Sequence, residues 1–141
     1  MKKMLHGLEH AQRVFRRAPR VHQEKIAHAL NVGAREIKDR AEILVPEDTG
    51  DLKQDIKVEA RGLQVRRGGR ALVARVIAGT SAGNAMAAFR SEFGRAPSPD
   101  GHPGHAPQSF FFTAYHSVRK RVRGRVKRSI NAAAKALARV R

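Results

Sequence analysis

Three adjacent residues in the first half of the chain, Asp48-Thr49-Gly50, form the triplet that aspartic proteases use. In those enzymes two such aspartates share one proton, so that one carboxyl group acts as acid and the other as base. This chain has one triplet, and a second aspartate could come only from a dimer. The triplet also follows a proline instead of an apolar strand. A structural turn is therefore favoured over a protease site, and its residues are Pro46, Asp48, Thr49 and Gly50.

Asp100, His102 and His105 are candidate metal ligands in the second half of the chain. Two imidazoles three residues apart in a Gly and Pro context are typical of ordinary loop histidines, and no third strong ligand is nearby in sequence. Pro103 fixes one backbone angle and Gly104 permits an unusual one, so shape explains both residues. Phosphate-binding Gly-Lys-Ser, nucleophile-elbow and zinc-protease motifs are absent from the sequence. We therefore predict no catalytic residue, no cofactor and no metal.

The formal net charge of +17 is the strongest compositional signal, and it is unevenly distributed. Residues 101–141 hold ten Lys and Arg residues and no acid, and a nearly unbroken apolar stripe predicts one basic helix over residues 113–139. This helix could contact DNA phosphates or an acidic partner, or simply face solvent. The residues predicted to make the contact are Arg119, Lys120, Arg121, Arg123, Arg125, Lys127 and Arg128.

Helices and one hairpin are predicted to position these segments. Apolar positions at helical spacing predict a helix over 20–44 and a shorter amphipathic helix or arm over 1–18. Alternating residues on both sides of a Gly-Gly turn predict a β-hairpin in the region 54–78. Met86, Phe89 and Phe93 predict a short helix over 84–93. The expected fold is a single α+β domain over residues 1–141, in which both long helices pack on a small antiparallel sheet. No apolar run is long enough to predict a membrane span.

A long loop over residues 94–109 connects the short helix to the basic helix. It contains four of the six prolines and three glycines, a composition that argues against both helix and ladder pairing. The phenylalanines on both sides of it are predicted to be buried, with Phe93 and Phe110 holding the two ends in the core. An irregular loop of this length in a small domain is usually functional or disordered. We therefore expect a protruding loop with anchored ends, and we name residues 94–109 the Pro/Gly loop.

Several short motifs occur in a fixed order along residues 45–114. They are Val45-Pro46-x-Asp48-Thr49-Gly50-x-Leu52, then Glu92-Phe93-Gly94, then His102-Pro103-Gly104, and a Phe-Phe-x-x-Ala that ends at Ala114. This order resembles the head-tail joining or tail-completion proteins of long-tailed double-stranded DNA phages, over roughly residues 30 to 141. The chain departs from the family pattern at Arg95, where the family often has Thr, and at Ser109, where it often has Pro.

The resemblance implies a structural virion protein that assembles as a ring, expected to be a hexamer, in the neck of a phage or of a gene transfer agent. Such a ring completes the tail or joins it to the DNA-filled head, contacts other neck and tail proteins, and assembles in the bacterial host cytoplasm. We expect the subunit or ring contacts at Phe93, Gly94, Arg95, His102, Pro103, Gly104, His105 and Phe110. Two alternatives remain open: a tail terminator ring and a sequence-independent basic DNA-binding protein.

Overall fold

The computed structural model describes residues 20–46, 50–66 and 69–139. The fold is α+β, as the sequence predicts. In chain order its elements are α1 (Arg20–Leu44), α2 (Asp51–Gln54), β1 (Ile56–Arg66), β2 (Gly69–Ala78), α3 (Ala82–Phe93) and α4 (Phe111–Ala138). The helix or arm predicted over 1–18 lies outside the described residues, as do Asp48 and Thr49 of the predicted turn.

The two strands form an antiparallel hairpin. Ile56 pairs with Ala78 at one end and Arg66 pairs with Gly69 at the other, so Gly69 of the predicted Gly-Gly turn belongs to β2. The pairing register shifts between Ala60 and Gly62, which places one extra residue in β1. Such a bulge bends a strand and increases its twist. A single hairpin is marginal by itself, so its apolar face must be covered by helices.

Helix α1 covers the hairpin, and α4 lies along α1. The two helices run antiparallel and approach closely at Gly33, where an added Cβ atom would lie 2.5 Å from Cγ1 of Val122. Both long helices were expected to pack directly on the sheet. This is correct for α1, whereas α4 packs mainly on α1, because its narrow apolar seam is filled by α1 and its remaining faces are charged.

The core lies where the C-terminal half of α1 meets the first turns of α4, one end of β1 and the inner side of α3. Most of its buried side chains are small, and Phe110 is the largest of them, with 1% of its surface exposed. The cluster consists of Ala41, Val45, Ile56, Ala88, Phe110 and Ala114. Phe110 therefore fixes the point at which the Pro/Gly loop enters α4, as the sequence predicts for this end of the loop.

Candidate interaction site

Glu92 closes the Pro/Gly loop at its base. Its side chain points inward from the last turn of α3, and only 7% of the residue is exposed. The carboxylate accepts hydrogen bonds from the backbone N–H groups of Phe110 at 3.0 Å, Phe111 at 2.9 Å and Phe112 at 3.1 Å, and from the Ser109 hydroxyl. The first N–H groups of a helix have no partner within it and carry partial positive charge. Glu92 thus caps the N-terminus of α4 from a different helix.

These donors set the protonation state of Glu92. Burial by itself raises the pKa of the carboxyl group, but the hydrogen bonds from Ser109 and from the three backbone N–H groups outweigh burial. The pKa therefore lies below its ordinary value, and the charged form is bound. A carboxylic acid that serves as a general acid near neutral pH needs the opposite shift. The arrangement around Glu92 suits a structural anion.

The Pro/Gly loop pairs with itself. The backbone N–H of Arg95 donates to the carbonyl of His105 and the N–H of His105 donates to the carbonyl of Arg95, both at 3.0 Å. Gln108 N–H also donates to the Ser91 carbonyl at 2.7 Å. The expectation that ladder pairing is excluded from this loop is therefore wrong. Neither Arg95 nor His105 is a proline, so both retain the N–H that a bridge requires.

Two motif glycines allow the sides of the loop to approach each other. Gly94 has a φ of 79°, and an added Cβ there would lie 3.0 Å from the carbonyl oxygen of His105. An added Cβ at Gly104 would lie 2.6 Å from the carbonyl oxygen of Arg95. Side chains at either position would push the two segments apart. The structure therefore brings Gly94, Arg95, Gly104 and His105 together, as a set of backbone contacts.

Three residues of the predicted contact, His102, Pro103 and His105, have exposed side chains. The backbone N–H of Ser98 donates to the His102 carbonyl at 3.0 Å. The Nδ1 atom of His105 lies 3.2 Å from the carbonyl oxygen of Ala106. Within the described residues, no group of three His, Cys, Asp or Glu side chains is arranged to hold a metal ion.

Phe93 does not hold the loop in the core. It is 56% exposed, so the prediction of a buried anchor at this position is wrong. Positions 88 and 92 lie four residues apart on α3, and both face the interior. Phe89 and Phe93 are the next residues along the helix, so both lie on its outer side. Their rings pack on each other, with centroids 4.9 Å apart, and Phe93 also contacts Phe112 at 6.2 Å. The inward anchor at this end is Glu92.

Two of the seven basic residues assigned to DNA or an acidic partner are used within the chain. Arg121 Nε donates to Glu36 Oε2 of α1 at 3.1 Å, and Arg125 pairs with the other carboxylate oxygen. The hydrogen bond from Arg125 is the main reason that the pKa of Glu36 is lowered. We therefore reassign Arg121 and Arg125 to the contact between α1 and α4. Their spacing of four residues places both beside one glutamate.

The other five basic residues, Arg119, Lys120, Arg123, Lys127 and Arg128, form no ion pair with any carboxylate of the described residues. Lys120, Arg123 and Lys127 are exposed and lie on the side of α4 that faces away from α1. We name these three the basic stripe. With a rise of 1.5 Å per residue, it extends over about 10 Å. It is the part of the predicted contact that is unpaired within the described residues and faces away from α1.

The sequence gives no local signal for a second buried carboxylate, Asp55, which is 8% exposed. It accepts hydrogen bonds from the Thr80 N–H at 2.6 Å and from the Thr80 hydroxyl, and from Asn84 Nδ2 at 3.1 Å, and it pairs with Lys57 at 2.9 Å. The hydrogen bond from the Thr80 hydroxyl contributes most to lowering the pKa of Asp55 far below its usual range. Ser81 is the N-cap of α3, so Asp55 binds the residues where that helix begins.

The start of α2 shows why the predicted turn contains glycine. Gly50 has a φ of 78°, a positive angle that Gly adopts without strain. It is the N-cap of α2, a single helical turn between the proline-containing segment and β1 that the sequence pattern does not predict. Pro46 follows the end of α1, where a proline can no longer disturb the helix.

Each helix in the described part of the chain is too short or too polar to cross a membrane. Among the site residues, sequence patterns indicate the loop, the basic helix and Phe110, but they give no sign that Glu92 and Asp55 are caps. Their partners are 17 to 29 residues away in sequence, so no short motif contains them. No known family model, curated protein or solved structure matches this chain.

Proposed function

We propose that this protein is a structural component of the neck of a long-tailed phage or phage-derived particle, where it completes the tail or joins it to the filled head. The observation that carries this proposal is that three of the four motifs behind the family resemblance lie together, at the Pro/Gly loop and the start of α4. Glu92 binds the start of α4, and Gly94 and Gly104 lie against opposite sides of the same loop. Motifs that are separate in sequence thus serve one feature, a loop with a fixed base.

The loop suits a contact between proteins because its conformation is set before binding. The Arg95–His105 bridge, the Gln108–Ser91 hydrogen bond and the Glu92 cap hold its base, and the residues beyond the bridge are mostly exposed. Docking such a loop costs less conformational entropy than ordering a free segment. In the proposed role its tip contacts a neighbouring subunit or the adjoining ring.

The remaining parts of the proposal come from the family resemblance. The protein assembles as a homo-oligomeric ring, expected to be a hexamer, together with other neck and tail proteins. It resides in the virion or gene transfer agent after assembly in the bacterial cytoplasm. A tail terminator ring is the alternative within the same class of proteins.

The test replaces the loop tip and keeps its base. Residues 99–102 are changed to Gly-Ser-Gly-Ser in a cell that produces the particle and lacks its own copy of the gene. The bridge and the Glu92 cap are retained, so the melting temperature should stay within about 2 °C of the unchanged protein. Electron microscopy should then show filled heads and separate tails. A variant with Arg75→Gln, on the hairpin, is the control and should give complete particles.

Complete particles at the normal yield from the replaced tip would refute the role of the loop. Unjoined heads and tails from the control as well would show that the assay does not report on the loop tip specifically.

A second candidate is a sequence-independent DNA-binding protein, and the basic stripe is the observation that favours it. Its three cations are exposed and unpaired within the described residues. Neutralising phosphates releases counterions, so binding should weaken steeply with salt. Changing Lys120, Arg123 and Lys127 to Gln should lower the slope of log affinity against log salt by about 2 to 3.

The matched control for the stripe changes Lys25, Arg40 and Arg75 to Gln, which removes the same charge from other exposed positions. If both triple variants lose duplex affinity equally, only net charge matters and the stripe is not a DNA site. If neither parent nor variants bind a 20-base-pair duplex at about 0.15 M salt, this second candidate is rejected.

A further inference from the structure

Four large apolar side chains are exposed side by side where α3 ends and α4 begins. Met86 is 51% exposed, Phe89 59%, Phe93 56% and Phe112 48%. We name them the aromatic patch. The cluster includes three of the six phenylalanines of the chain. Since exposed aromatic clusters are uncommon on a small protein, such a cluster indicates an interaction surface.

A groove lies beside the patch and opens to solvent. It is lined by small side chains from β2 and α3 and by phenylalanine rings. Among the lining residues are Val76, Ala78, Ala85, Phe89, Phe93 and Phe112. Glu92 also borders the groove, but its oxygens already accept four hydrogen bonds. The surface that the groove presents to a ligand is therefore mainly apolar, and it suits an inserted apolar side chain.

The margin of the groove is cationic. Arg90 is exposed on α3 next to the patch. On α4, Lys120 follows Phe112 by eight residues, about 12 Å, and leads into the rest of the basic stripe. Within the described residues, no carboxylate forms an ion pair with Arg90 or Lys120. An apolar groove thus continues into a row of free positive charges.

We propose that this surface binds another protein through an apolar anchor residue flanked by carboxylates. The anchor occupies the groove, and the carboxylates pair with Arg90 and the basic stripe. The inference concerns a surface outside the Pro/Gly loop tip, and it holds whether or not the ring of the proposed function forms.

Charge favours this partner over the other possible occupants. A second copy of the chain would bring another net charge of +17. The segment 1–19 of this chain carries five Lys and Arg residues and one Glu, so it too would be repelled by the cationic margin. Nucleic acid bases stack on open aromatic faces, whereas these rings pack against one another at 4.9 and 6.2 Å around a concave groove.

The experiment selects partners from random peptides instead of assuming one. A displayed library of random 12-residue peptides is selected on the full chain at about 0.15 M salt, where exposed long-range charge is screened. The library is first depleted on the Phe89→Ser, Phe112→Ser double variant. The enriched peptides should contain an aromatic or large aliphatic residue flanked by Asp or Glu.

Synthetic fluorescent copies of the enriched peptides then give dissociation constants by anisotropy. The double variant should bind at least tenfold more weakly, as should a peptide whose anchor is changed to Ser. The matched control is Ile43→Ser, which removes a 69% exposed apolar side chain elsewhere on α1 and should leave affinity unchanged. All substituted positions are exposed, so the variants should fold, which circular dichroism checks.

Several results would overturn the proposal. They are no enrichment over the depleted background, enriched peptides without an apolar anchor, or equal binding to the double variant. Self-association of the full chain that the double variant abolishes would assign the groove to a second copy. Displacement of the peptide by a single-stranded oligonucleotide, but not by a duplex of equal charge, would assign it to unpaired bases. Each result is independent of particle joining by the loop tip, so the two proposals can fail separately.

Discussion

Asp55 and Glu92 bind the N-termini of two successive helices, but in different surroundings. Asp55 accepts hydrogen bonds from Thr80 and Asn84 at the start of α3, and it also forms an ion pair with Lys57. Glu92 accepts hydrogen bonds from the backbone N–H groups of residues 110–112 at the start of α4, and it forms no ion pair with a cation of the described residues. The residues around Asp55 are largely exposed, whereas Phe110 is buried. Water can replace a lost acceptor more readily at the exposed Thr80 than at the buried N–H of Phe110, so loss of the Glu92 carboxylate should cost more stability.

The largest effect is expected for Glu92→Gln. An amide retains one acceptor oxygen but turns an NH₂ donor toward backbone N–H groups, of which that of Phe110 is buried. We expect a loss of about 3 kcal/mol in the free energy of unfolding, measured in urea. Amide exchange of Arg95 and His105 should also accelerate, because the cap holds the base of their bridge.

Asp39→Asn is the control for this substitution, because Asp39 is exposed on α1 and should be nearly neutral. A Glu92→Gln variant as stable as the control would show that the carboxylate is dispensable. Unchanged exchange at Arg95 and His105 would show that the cap and the loop are independent.

Asp55→Asn should be the milder substitution. Its side-chain oxygen can still accept from Thr80, and solvent can reach the exposed Thr80 and Ser81 when other bonds are lost. We expect a fall in melting temperature about half as large as that of Glu92→Gln. Exchange in the Pro/Gly loop should remain unchanged. If Asp55→Asn lowers the melting temperature as much as Glu92→Gln or more, solvent exposure of the helix start does not determine how much a cap stabilises the protein.

Acid should weaken both caps. Near pH 4 the resulting loss of unfolding free energy should be smaller than the loss that either substitution causes at pH 7. Both folded-state pKa values lie below the ordinary value. Their stabilisation is therefore fully present above the unfolded-state pKa, about 4, and is lost as pH falls toward the folded-state pKa. Unfolding free energies at about pH 7, 4 and 3 should fall less steeply in Glu92→Gln than in the parent. Parallel curves would contradict this linkage.

Sequence patterns predict the fold better than they predict which side chains face inward. The long helices, the hairpin and α3 each repeat a period over enough residues to be recognised. Helix α2 has a single turn and therefore no period to detect. Two of the seven assigned basic residues, Arg121 and Arg125, lie four residues apart and so share one face of α4, but their partner Glu36 is 85 to 89 residues away in sequence.

Residues 88–93 show where hydrophobicity misleads. A phenylalanine normally has more to gain from burial than a glutamate, so Phe93 was predicted as the anchor and Glu92 received no inward role. The structure has the reverse orientation because the start of α4 offers N–H groups that need an acceptor. That need belongs to a distant helix end, and its location depends on how the chain folds back.

The smallest expected effect isolates the cation that distinguishes the two caps. The side chain of Lys57 is 57% exposed, so its ion pair with Asp55 is largely screened by water, and Lys57→Met should change the melting temperature by about 2 °C or less. The effect should also disappear in an Asp55→Asn background, which a double-mutant cycle measures. A large coupling energy would mean that Asp55 depends on its cation and differs in kind from Glu92. A negligible one supports the view that N–H and hydroxyl donors stabilise both carboxylates.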